Sequence, residues 1–423
     1  MDCGPKTNPQ LEVKTKLYFH ELLSINISQI IEVMKKYTLF TLLILFTSFA
    51  YRGMAQTTLS GQDASSRPVS TAVPFLNITP DARAAGMGDV GVATDPTANA
   101  TFWNPAKLVF NESNIGASLS FTPWLSKLVN DMSISYLSGY YKLDEKQAFG
   151  MGVRYFNLGD ITFTDESGQI TGNHVPRELA VSLTYSRKLS ENLGVAVSGR
   201  YIHSNITGGI ALNNQQVAKA GNTVAADIAV FYSKPMYIAG RDAKWNFGAN
   251  ISNIGPKISY INNNTQDFIP TNLRFGTALT VEIDEFQKIT WAADISKLMV
   301  PTPPQVDANG NIIKGTDPRE KTLLNGIFGS FSDAPDGFSE ELKEFIWSTG
   351  IEYWYRDTFA ARAGYFSESL DKGGRRYFSL GAGVKYSQFG LDVAYLLATD
   401  QANPLAETLR FSLSFNLGAN KKK

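Results

Sequence analysis

The hydrophobic residues of the last third of the chain recur at every second position, in stretches of about ten residues, as in membrane-crossing strands. In the segment 377–386, one face carries Phe378, Leu380, Ala382, Val384 and Tyr386, and the other carries Ser379, Gly381, Gly383 and Lys385. The segment 407–417 repeats the pattern, with Leu409, Phe411, Leu413, Phe415 and Leu417 on one face. A period of two predicts β-strands with one face toward an apolar surrounding. Because soluble sandwiches also alternate, the number and length of the strands must decide between the two classes.

The same alternation predicts fourteen strands, an even number, between residues 114 and 417. No long helical period and no interdomain linker divides the chain after residue 110, so a single continuous array of strands fits best. The candidate strands lie at 114–122, 131–143, 147–158, 178–188, 192–204, 222–233, 244–252, 270–283, 288–297, 346–355, 358–366, 376–387, 389–397 and 408–417.

The connections between the predicted strands alternate in length. Those after strands 2, 4, 8, 10 and 12 are only a few residues long, such as 144–146 and 356–357, whereas the link near 234–243 is intermediate. Short turns at one end and long loops at the other are typical of an outer-membrane barrel, and a soluble sandwich or propeller has no reason to sort its loops this way. The sequence therefore predicts an all-β protein, a fourteen-stranded antiparallel outer-membrane β-barrel over 111–418, followed by a basic tail at 419–423. The predicted long loops are 159–177, 205–221, 253–269 and 298–345.

The two faces of the predicted strands differ in chemistry. The face predicted to meet lipid is apolar, and aromatic residues near the strand ends are expected to form the interfacial girdles of such barrels. The outward residues include Val181, Leu183, Leu279, Val281, Trp291, Ile295, Val393 and Leu397, and the expected girdle residues are Tyr136, Tyr140, Trp245, Trp347 and Trp354.

Charged residues of both signs occupy the inward phase of the strands. A selective ion path would favour rings of one sign, so we expect these charges mostly to pair with each other inside a filled barrel. They are Arg154, Arg200, Asp227, Arg274, Asp294, Glu352, Arg362, Lys385, Asp392 and Arg410.

The chain also carries an export signal ahead of the strands. Met34-Lys35-Lys36 leads into the uncharged segment 37–50, which is too short for a membrane-spanning helix, so residues 34–55 predict a secretory signal peptide cleaved after Ala55. An uncleaved N-terminal helix is the alternative. We expect residues 1–33 to lie upstream of the true start. The one cysteine, Cys3, falls in that leader, and 39 basic residues balance 39 acidic ones, which gives no indication of nucleic acid binding.

The segment before the first strand carries the most specific signal. It contains Ala82-Arg83-Ala84-Ala85-Gly86-Met87-Gly88, a stretch of small residues, and Asn104-Pro105-Ala106. This arrangement resembles the N-terminal hatch of the FadL-like barrels. Together with the segment 73–78 it is most similar to the PorV family, also called LptO, the outer-membrane component of the type IX secretion system, and the resemblance covers most of 70–417. It implies that residues 56–110 form a hatch or plug, with Arg83, Gly86, Gly88, Asn104 and Pro105 as its marker residues.

The resemblance also implies partners and a function. A PorV-like protein is expected to sit in outer-membrane lipid beside a large translocon barrel of the SprA/Sov type. It would receive cargo through C-terminal signal domains, pass that cargo to a sortase-like attachment complex at the cell surface, and catalyse nothing itself. The alternative is a FadL-type channel for long-chain fatty acids or other hydrophobic molecules, which would need an apolar tunnel through the lumen.

Two motifs suggest chemistry that the context does not support. Gly86, Gly88 and Gly91 spell the dinucleotide fingerprint, but no βαβ unit surrounds them, so we interpret them as glycines that let the hatch approach the barrel wall. His203 and Ser204 are adjacent on a strand and point to opposite faces, so they do not form a base and nucleophile pair. With His174 as the one other histidine after the signal, the sequence predicts no catalytic, cofactor or metal site.

The segment 298–345 is the candidate for contact with a partner. After three prolines, apolar residues at helical spacing predict short helices over 321–331 and 338–346. The stripes pack on the barrel rim, or they dock onto a partner protein, and the sequence leaves both possibilities open. Their residues are Leu324, Ile327, Phe328 and Phe331 on the first helix, and Phe338, Leu342 and Phe345 on the second.

Overall fold

The protein is a closed antiparallel β-barrel of fourteen strands. The computed structural model describes residues 67–125, 131–164, 167–208, 211–212, 216–261, 266–307, 309–399 and 408–418. The signal peptide prediction and the basic tail from 419 onward lie outside these residues. The barrel strands are β1 (Ile115–Pro123), β2 (Met132–Asp144), β3 (Gln147–Leu158), β4 (Arg177–Lys188), β5 (Leu193–Asn205), β6 (Gly221–Ile238), β7 (Arg241–Ile254), β8 (Asn272–Glu282), β9 (Gln287–Leu298), β10 (Ile346–Tyr355), β11 (Phe359–Ser367), β12 (Arg376–Tyr386), β13 (Phe389–Ala398) and β14 (Leu409–Leu417).

Closure of the barrel pairs its first strand with its last. Ile115 of β1 lies opposite Leu417 of β14, and the register continues to Phe121 and Phe411. The apolar members of both strands point outward, so that Leu119 is 53% exposed and Leu413 is 51% exposed. The closed strand pairing satisfies the backbone hydrogen bonds within the sheet, and the apolar side chains around the wall leave its outer surface to lipid. The predicted fold class and strand number are thus confirmed.

The barrel has two unlike ends. At one, which we call the short-turn end, the connections are 145–146, 189–192, 239–240, 283–286, 356–358 and 387–388. At the other, the long-loop end, the connection between β9 and β10 covers 299–345. Three of the long loops each contain a small two-stranded hairpin. The paired strands are Ile161–Thr164 and Ile170–His174, Ala211–Leu212 and Gln216–Val217, and Gln305–Val306 and Ile312–Lys314.

The predicted intermediate link at 234–243 is wrong. The strands β6 and β7 continue through this region to a two-residue turn, Ala239-Gly240, whose φ angles are 50° and 79°. Two positive φ values in a two-residue hairpin are typical of a type I′ turn, which matches the twist of the flanking strands. Pro235 interrupts the strand pattern in the sequence, yet a proline is tolerated where its missing N–H faces away from the neighbouring strand.

Three of the five expected girdle residues point into the barrel instead. Tyr136 and Tyr140 are each only 4% exposed, because they share the inward phase of β2 with Ile134 and Ser138. Trp354 shares the inward phase of β10 with Glu352 and lines a lumenal cavity. Trp245 and Trp347 do point outward, at 40% and 59% exposure. The alternation along each strand, rather than proximity to a strand end, therefore decides whether these side chains point into the barrel or outward.

The helices of the described residues are short. Inside the barrel they are α1 (Ala82–Ala85) and α2 (Ala100–Trp103), with 3₁₀ turns at Pro74–Asn77 and Pro105–Phe110. In the long loop they are α3 (Leu323–Gly329) and α4 (Phe338–Lys343), shorter than predicted, with a 3₁₀ turn at Pro318–Glu320; a further 3₁₀ turn lies at Leu370–Lys372. Among the described residues, no helix combines the length and the hydrophobicity that crossing a bilayer requires.

Candidate functional site

Residues 71–110, which we call the lumenal segment, pack against the inward side chains of the wall. Phe75, Met87 and Leu108 are fully buried in this packing. Phe75 joins a cluster with Ile134 and Phe156 of the wall, and Met87 joins one with Ala278 and Ala292. The lumenal segment therefore occupies the interior of the barrel as a core that the strands alone do not supply. Residues 56–66 of the predicted hatch lie outside the described residues.

A buried ionic chain fastens α1 to the wall. Arg83 of α1 donates two hydrogen bonds to Glu352 of β10, with Nε–Oε2 and Nη2–Oε1 distances of 2.9 and 2.7 Å. Arg362 of β11 donates to the same carboxylate at 2.7 Å and to Asp392 of β13 at 2.8 Å. Glu352 is 1% exposed, so its charge is compensated by these two arginines rather than by water.

Glycines permit backbone contact between the lumenal segment and strands β10–β12. A Cβ atom placed on Gly86 would lie 2.9 Å from Gly381 Cα, and one on Gly88 would lie 2.5 Å from Tyr365 N. Gly88 also has a φ of +74°, which favours glycine. On the wall, a Cβ on Gly364 would lie 2.0 Å from the Met87 carbonyl carbon. A side chain at any of these positions would separate the lumenal segment from the wall.

The other inward charges divide between two kinds of partner. Arg200 pairs with Asp227 at 2.7 Å, as mutual pairing predicts. Three others instead bind backbone groups of the lumenal segment. Arg154 donates to the carbonyls of Phe75 and Leu76, Asp294 accepts from the amides of Gly91 and Val92, and Arg410 donates to the Thr79 carbonyl and to Asp89. The prediction that the inward charges mostly pair with each other is wrong for these three residues, because the lumenal segment presents buried backbone groups that need partners.

Arg274 and Lys385, the remaining inward charges, line cavities. Arg274 lies with its guanidinium carbon 4.9 Å from the centroid of the Phe102 ring and borders a cavity of about 80 Å³ near the long-loop end. Lys385 is exposed and borders a cavity of about 230 Å³ near the short-turn end. Charged groups line both cavities, including Asp89 and Arg410 in the smaller one and Lys288 and Asp392 in the larger one.

Asn104 and Pro105 start the second half of the lumenal segment. The side-chain oxygen of Asn104 accepts from the Ala106 amide at 3.1 Å, and Pro105 occupies the first turn, where no amide hydrogen is needed. The Asn104 side chain also donates to the Val230 carbonyl of β6 at 2.9 Å. One side chain thus caps the 3₁₀ turn and ties it to the wall.

His174, His203 and Ser204 each contact a different partner. Ser204 is buried on the inward face of β5 and donates to Glu178 at 2.7 Å. The ring of His203 lies on the opposite face, 2.8 Å from Asn222 Oδ1. His174 contacts the Asn205 carbonyl at 3.4 Å. The structure brings none of these three residues together as a base and nucleophile pair.

Ion pairs fasten the long loop to the barrel rim. Lys297 at the end of β9 pairs with Glu341 at 3.1 Å and with Glu344, and Lys372 pairs with Glu340 at 2.6 Å. Arg67 also binds Glu340, at 2.8 Å. This cluster gives no signal in the sequence, because Arg67, Lys297 and Lys372 are far apart in the chain and carry no motif.

The pKa of Glu340 reflects this environment. Partial burial opposes ionisation of its carboxyl, but hydrogen bonds from Lys372, the Asp336 amide and Arg67 outweigh that effect and hold the pKa below its ordinary value. Glu340 is therefore charged while the loop is fastened, and protonation would weaken the attachment of α4 to the rim.

Most of the predicted partner-binding residues are exposed. Leu324 and Phe328 of α3 are 63% and 70% exposed, and Phe338 and Leu342 of α4 are 74% and 54% exposed. Phe331 is also exposed, whereas Ile327 is buried and Phe345 is half-buried. The charged side of α4 faces the rim, so the apolar residues are left on the solvent side of the loop. Contact of these residues with a partner stays a prediction.

Comparison with solved structures returns transporters and channels at low similarity. The toluene transporter TbuX of Ralstonia pickettii has a TM-score of 0.44 and 12% identity, over 80% of this chain and 98% of its own. A TodX deltaS2S3 mutant monoaromatic hydrocarbon channel has a TM-score of 0.47 and 12% identity, over 80% and 99%. A FadL homologue of Pseudomonas aeruginosa has a TM-score of 0.39 and 11% identity, over 83% and 99%. These TM-scores and identities are too low to assign the fold. The assignment rests on the strand pairing described above.

Comparison at the level of sequence is more specific. No curated protein matches the chain. The family model for type IX secretion system protein PorV matches residues 61–305, which is more than half of the chain and includes the lumenal segment and the first nine strands. The chain belongs to the PorV family of the type IX secretion system, and is a β-barrel protein of the outer membrane.

Proposed function

We propose that this protein is a non-catalytic, cargo-carrying component of the type IX secretion system. In this proposal it associates with the large translocon barrel and receives secreted proteins through their C-terminal signal domains. It then delivers them to the cell-surface attachment complex. The observation that carries the proposal is a barrel whose lumen is occupied by fastened chain while its long loop exposes apolar side chains. Function is then expected at the rim rather than through the lumen.

The contacts of the lumenal segment support its role as a plug. Its ionic chain through Arg83 and Glu352 and its backbone contacts at Gly86 and Gly88 would have to break together before a passage opened. Removing one partner of a buried ion pair alone destabilises a protein by about 3–5 kcal/mol. We therefore propose that the lumenal segment stays in place and keeps the barrel closed while the protein carries cargo. The short-turn end lies in the periplasm and the long-loop end at the cell surface, as the asymmetry of loop length suggests.

The exposed apolar residues of α3 and α4 support a docking role for the long loop. Phe328 and Phe338 are among the most exposed large apolar side chains of the chain. Leaving such residues in water is unfavourable, and clusters of them mark protein contact sites. The ion pairs of Lys297 and Lys372 hold the loop in place, so the cluster is presented by a fixed support rather than by a free chain.

Uptake of hydrophobic molecules has less support. A path for fatty acids needs apolar walls along the lumen. Here the cavities near both ends are lined by charged groups, such as Arg274 and Arg410 in one and Lys288 and Lys385 in the other. Desolvating such groups beside an alkyl chain would oppose transport.

The proposal is tested by removing the apolar surface of the loop. We expect the double variant Phe328→Ser and Phe338→Ser to lose co-purification with the translocon barrel or with cargo by about tenfold or more, since hot-spot aromatics each contribute about 2 kcal/mol. Leu370→Ser is the matched control, because Leu370 is 63% exposed at the same end in a different loop. Normal co-purification of the double variant would contradict the docking role. Recovery of the unaltered protein as a lone barrel with bound lipid would favour uptake.

A further inference from the structure

The hairpin of β6 and β7 projects past its neighbours at the short-turn end. Pairing between β5 and β6 ends at Leu193 and Tyr232, followed by one bond from the Ser233 amide to the Asn192 carbonyl at 2.8 Å. Strand β6 nevertheless continues to Ile238. On its β5 side, the stretch Lys234–Ile238 has no strand partner among the described residues, and we call this stretch the free edge.

The other short-turn hairpins leave no comparable stretch within the described chain. On the β3 side of β4, strand pairing continues to Gln147 and Arg187. The Lys188 amide then donates a hydrogen bond to the Lys146 carbonyl. In β10 the Arg356 amide bonds the Phe286 carbonyl just past the last strand residue. In β12 the Lys385 amide bonds the Thr358 carbonyl, one residue before the strand ends. The length of the free edge is therefore a property of this hairpin rather than a consequence of strand tilt.

The register fixes which backbone groups the free edge presents. In an antiparallel pair, the N–H and C=O of successive residues point alternately to the two sides. Because the Ser233 amide points toward β5, those of residues 235 and 237 lie on the same side. Pro235 offers a carbonyl and no N–H, whereas Tyr237 offers both groups. The free edge thus presents the Pro235 carbonyl and the Tyr237 carbonyl and amide, which suit a partner with alternating donors and acceptors.

The side chains around the free edge are exposed and partly cationic. Tyr237 is 71% exposed. Lys234 and Arg241 are exposed and share the other face of the hairpin, through the pairs Lys234 with Trp245 and Ile238 with Arg241. Neither cation makes an ion pair with a described residue, whereas Lys244 on the Tyr237 face pairs with Asp95 at 2.6 Å. A strand laid along the edge would lie next to Lys234 and one strand further from Arg241, two cations on the same face of the sheet.

We propose that the free edge binds an extended, acidic polypeptide strand of a periplasmic protein by β-augmentation. Unpaired edges are normally shortened or covered, and an edge that persists is a template for another strand. A second copy of this chain fits poorly. Two barrels in one membrane run β6 in the same direction, so edge pairing between copies would be parallel, which is slightly less stable per residue than the antiparallel pairing of this barrel. Lipid lacks the alternating donors and acceptors. That the edge faces the periplasm rests on the proposed function.

The test separates backbone pairing from side-chain contact. A photo-crosslinking amino acid, p-benzoylphenylalanine, replaces Ile238 in cells, in three backgrounds: unaltered, Tyr237→Ala and Tyr237→Pro. Alanine keeps the edge amide, whereas proline removes it, and both leave the β6–β7 ladder intact because residue 237 bonds away from β7. We expect a crosslink to a polypeptide whose crosslinked residue lies in an acidic, extended segment. Its yield should stay within about twofold in Tyr237→Ala and fall at least fivefold in Tyr237→Pro, as expected for loss of about 1 kcal/mol.

Several results would overturn the proposal. Equal yields in the alanine and proline backgrounds would show that the backbone edge is not used. A crosslink only to lipid or to a second copy of this chain would assign the edge to another occupant. If Tyr237→Pro fails to fold, judged by the heat-modifiable gel mobility of the barrel, hydrogen exchange of the unaltered protein decides. The Tyr237 amide should exchange at least tenfold more slowly in outer-membrane vesicles than in purified protein, and equal exchange would refute the proposal.

Failure of the free-edge proposal can be distinguished from failure of the proposed function. Surface delivery of a reporter with a C-terminal signal domain tests the cargo role without reference to the edge. Hydrogen exchange at Tyr237 tests occupancy of the edge whether or not cargo is delivered.

Discussion

Replacement of Glu352 by alanine should detach the lumenal segment from the wall. The substitution removes the one carboxylate that receives two hydrogen bonds from Arg83 and one from Arg362. Arg362 keeps Asp392 at 2.8 Å, but Arg83 keeps only the Asp95 carbonyl at 3.1 Å. Removing one partner of a buried ion pair costs about 3–5 kcal/mol, and because Arg362 retains a partner we expect a loss of about 3 kcal/mol from the free energy of unfolding.

The measurement is equilibrium unfolding by urea in detergent micelles, combined with cysteine labelling. The mature chain should contain no cysteine, since the one cysteine is Cys3, so Thr97→Cys in the lumenal segment gives a single reporter. We expect faster labelling of this cysteine by a membrane-impermeant maleimide in Glu352→Ala while the barrel remains folded. Glu352→Gln keeps the shape of the side chain and should lose about 1.5–3 kcal/mol, as for hydrogen bonds to charged groups.

Glu282→Ala is the matched control, because Glu282 is an exposed wall residue at the end of β8 and makes no ion pair with the described residues. It should change the free energy of unfolding by less than about 0.5 kcal/mol. If Glu352→Ala costs no more than this control and labelling does not change, the ionic chain does not hold the lumenal segment, and the reasoning is refuted.

Three further predictions concern the lumenal segment and the long loop. Gly88→Ala should cost at least about 2 kcal/mol through its positive φ and its contact with the wall, whereas Gly199→Ala, with open space around it, should cost less than about 1 kcal/mol; urea unfolding of both checks this. Asn104→Ala should cost about 1–2 kcal/mol by the same assay through loss of the cap, and an effect near zero would show that the cap is dispensable. The lowered pKa of Glu340 means that its contribution is complete above the unfolded value of 4.5 and disappears as pH falls through the folded value. Proteolysis of the long loop should therefore accelerate as pH falls below 4.5 in the unaltered protein, and the same pH dependence in Glu340→Gln would contradict this assignment.

Much of the barrel could be predicted because a period of two is a strong local signal. The strands from β1 to β14 follow alternation that any membrane-facing wall requires, and Phe378 and Leu413 illustrate it. The predictions are wrong where a second rule conflicts with the alternation. Tyr136 and Tyr140 lie near a strand end, which predicts girdle positions, but their phase in β2 places them inside. Pro235 lies within the predicted intermediate link at 234–243, and β6 continues through it because a strand edge without a partner can accommodate proline.

The contacts of the lumenal segment and of the long loop are harder to predict from the sequence. Arg83, Gly86, Gly88, Asn104 and Pro105 could be singled out through resemblance, and all lie in the lumenal segment against the wall. Their partners could not be identified, since Glu352 and Gly364 are brought to α1 only by closure of the barrel. Likewise, the fastening of the long loop by Lys297 and Lys372 depends on side chains from separate strands and loops, for which a single sequence gives no pairing signal.

Surface delivery of a cargo reporter in a deletion strain tests the central claim most directly. A secreted reporter with a C-terminal signal domain is measured at the cell surface, alongside uptake of a labelled long-chain fatty acid, in the deletion strain and in the strain complemented with the unaltered gene. We predict that the reporter fails to reach the surface without the protein, that complementation restores delivery, and that fatty-acid uptake is unchanged. Normal surface delivery together with reduced fatty-acid uptake would contradict the secretion role and support transport through the barrel.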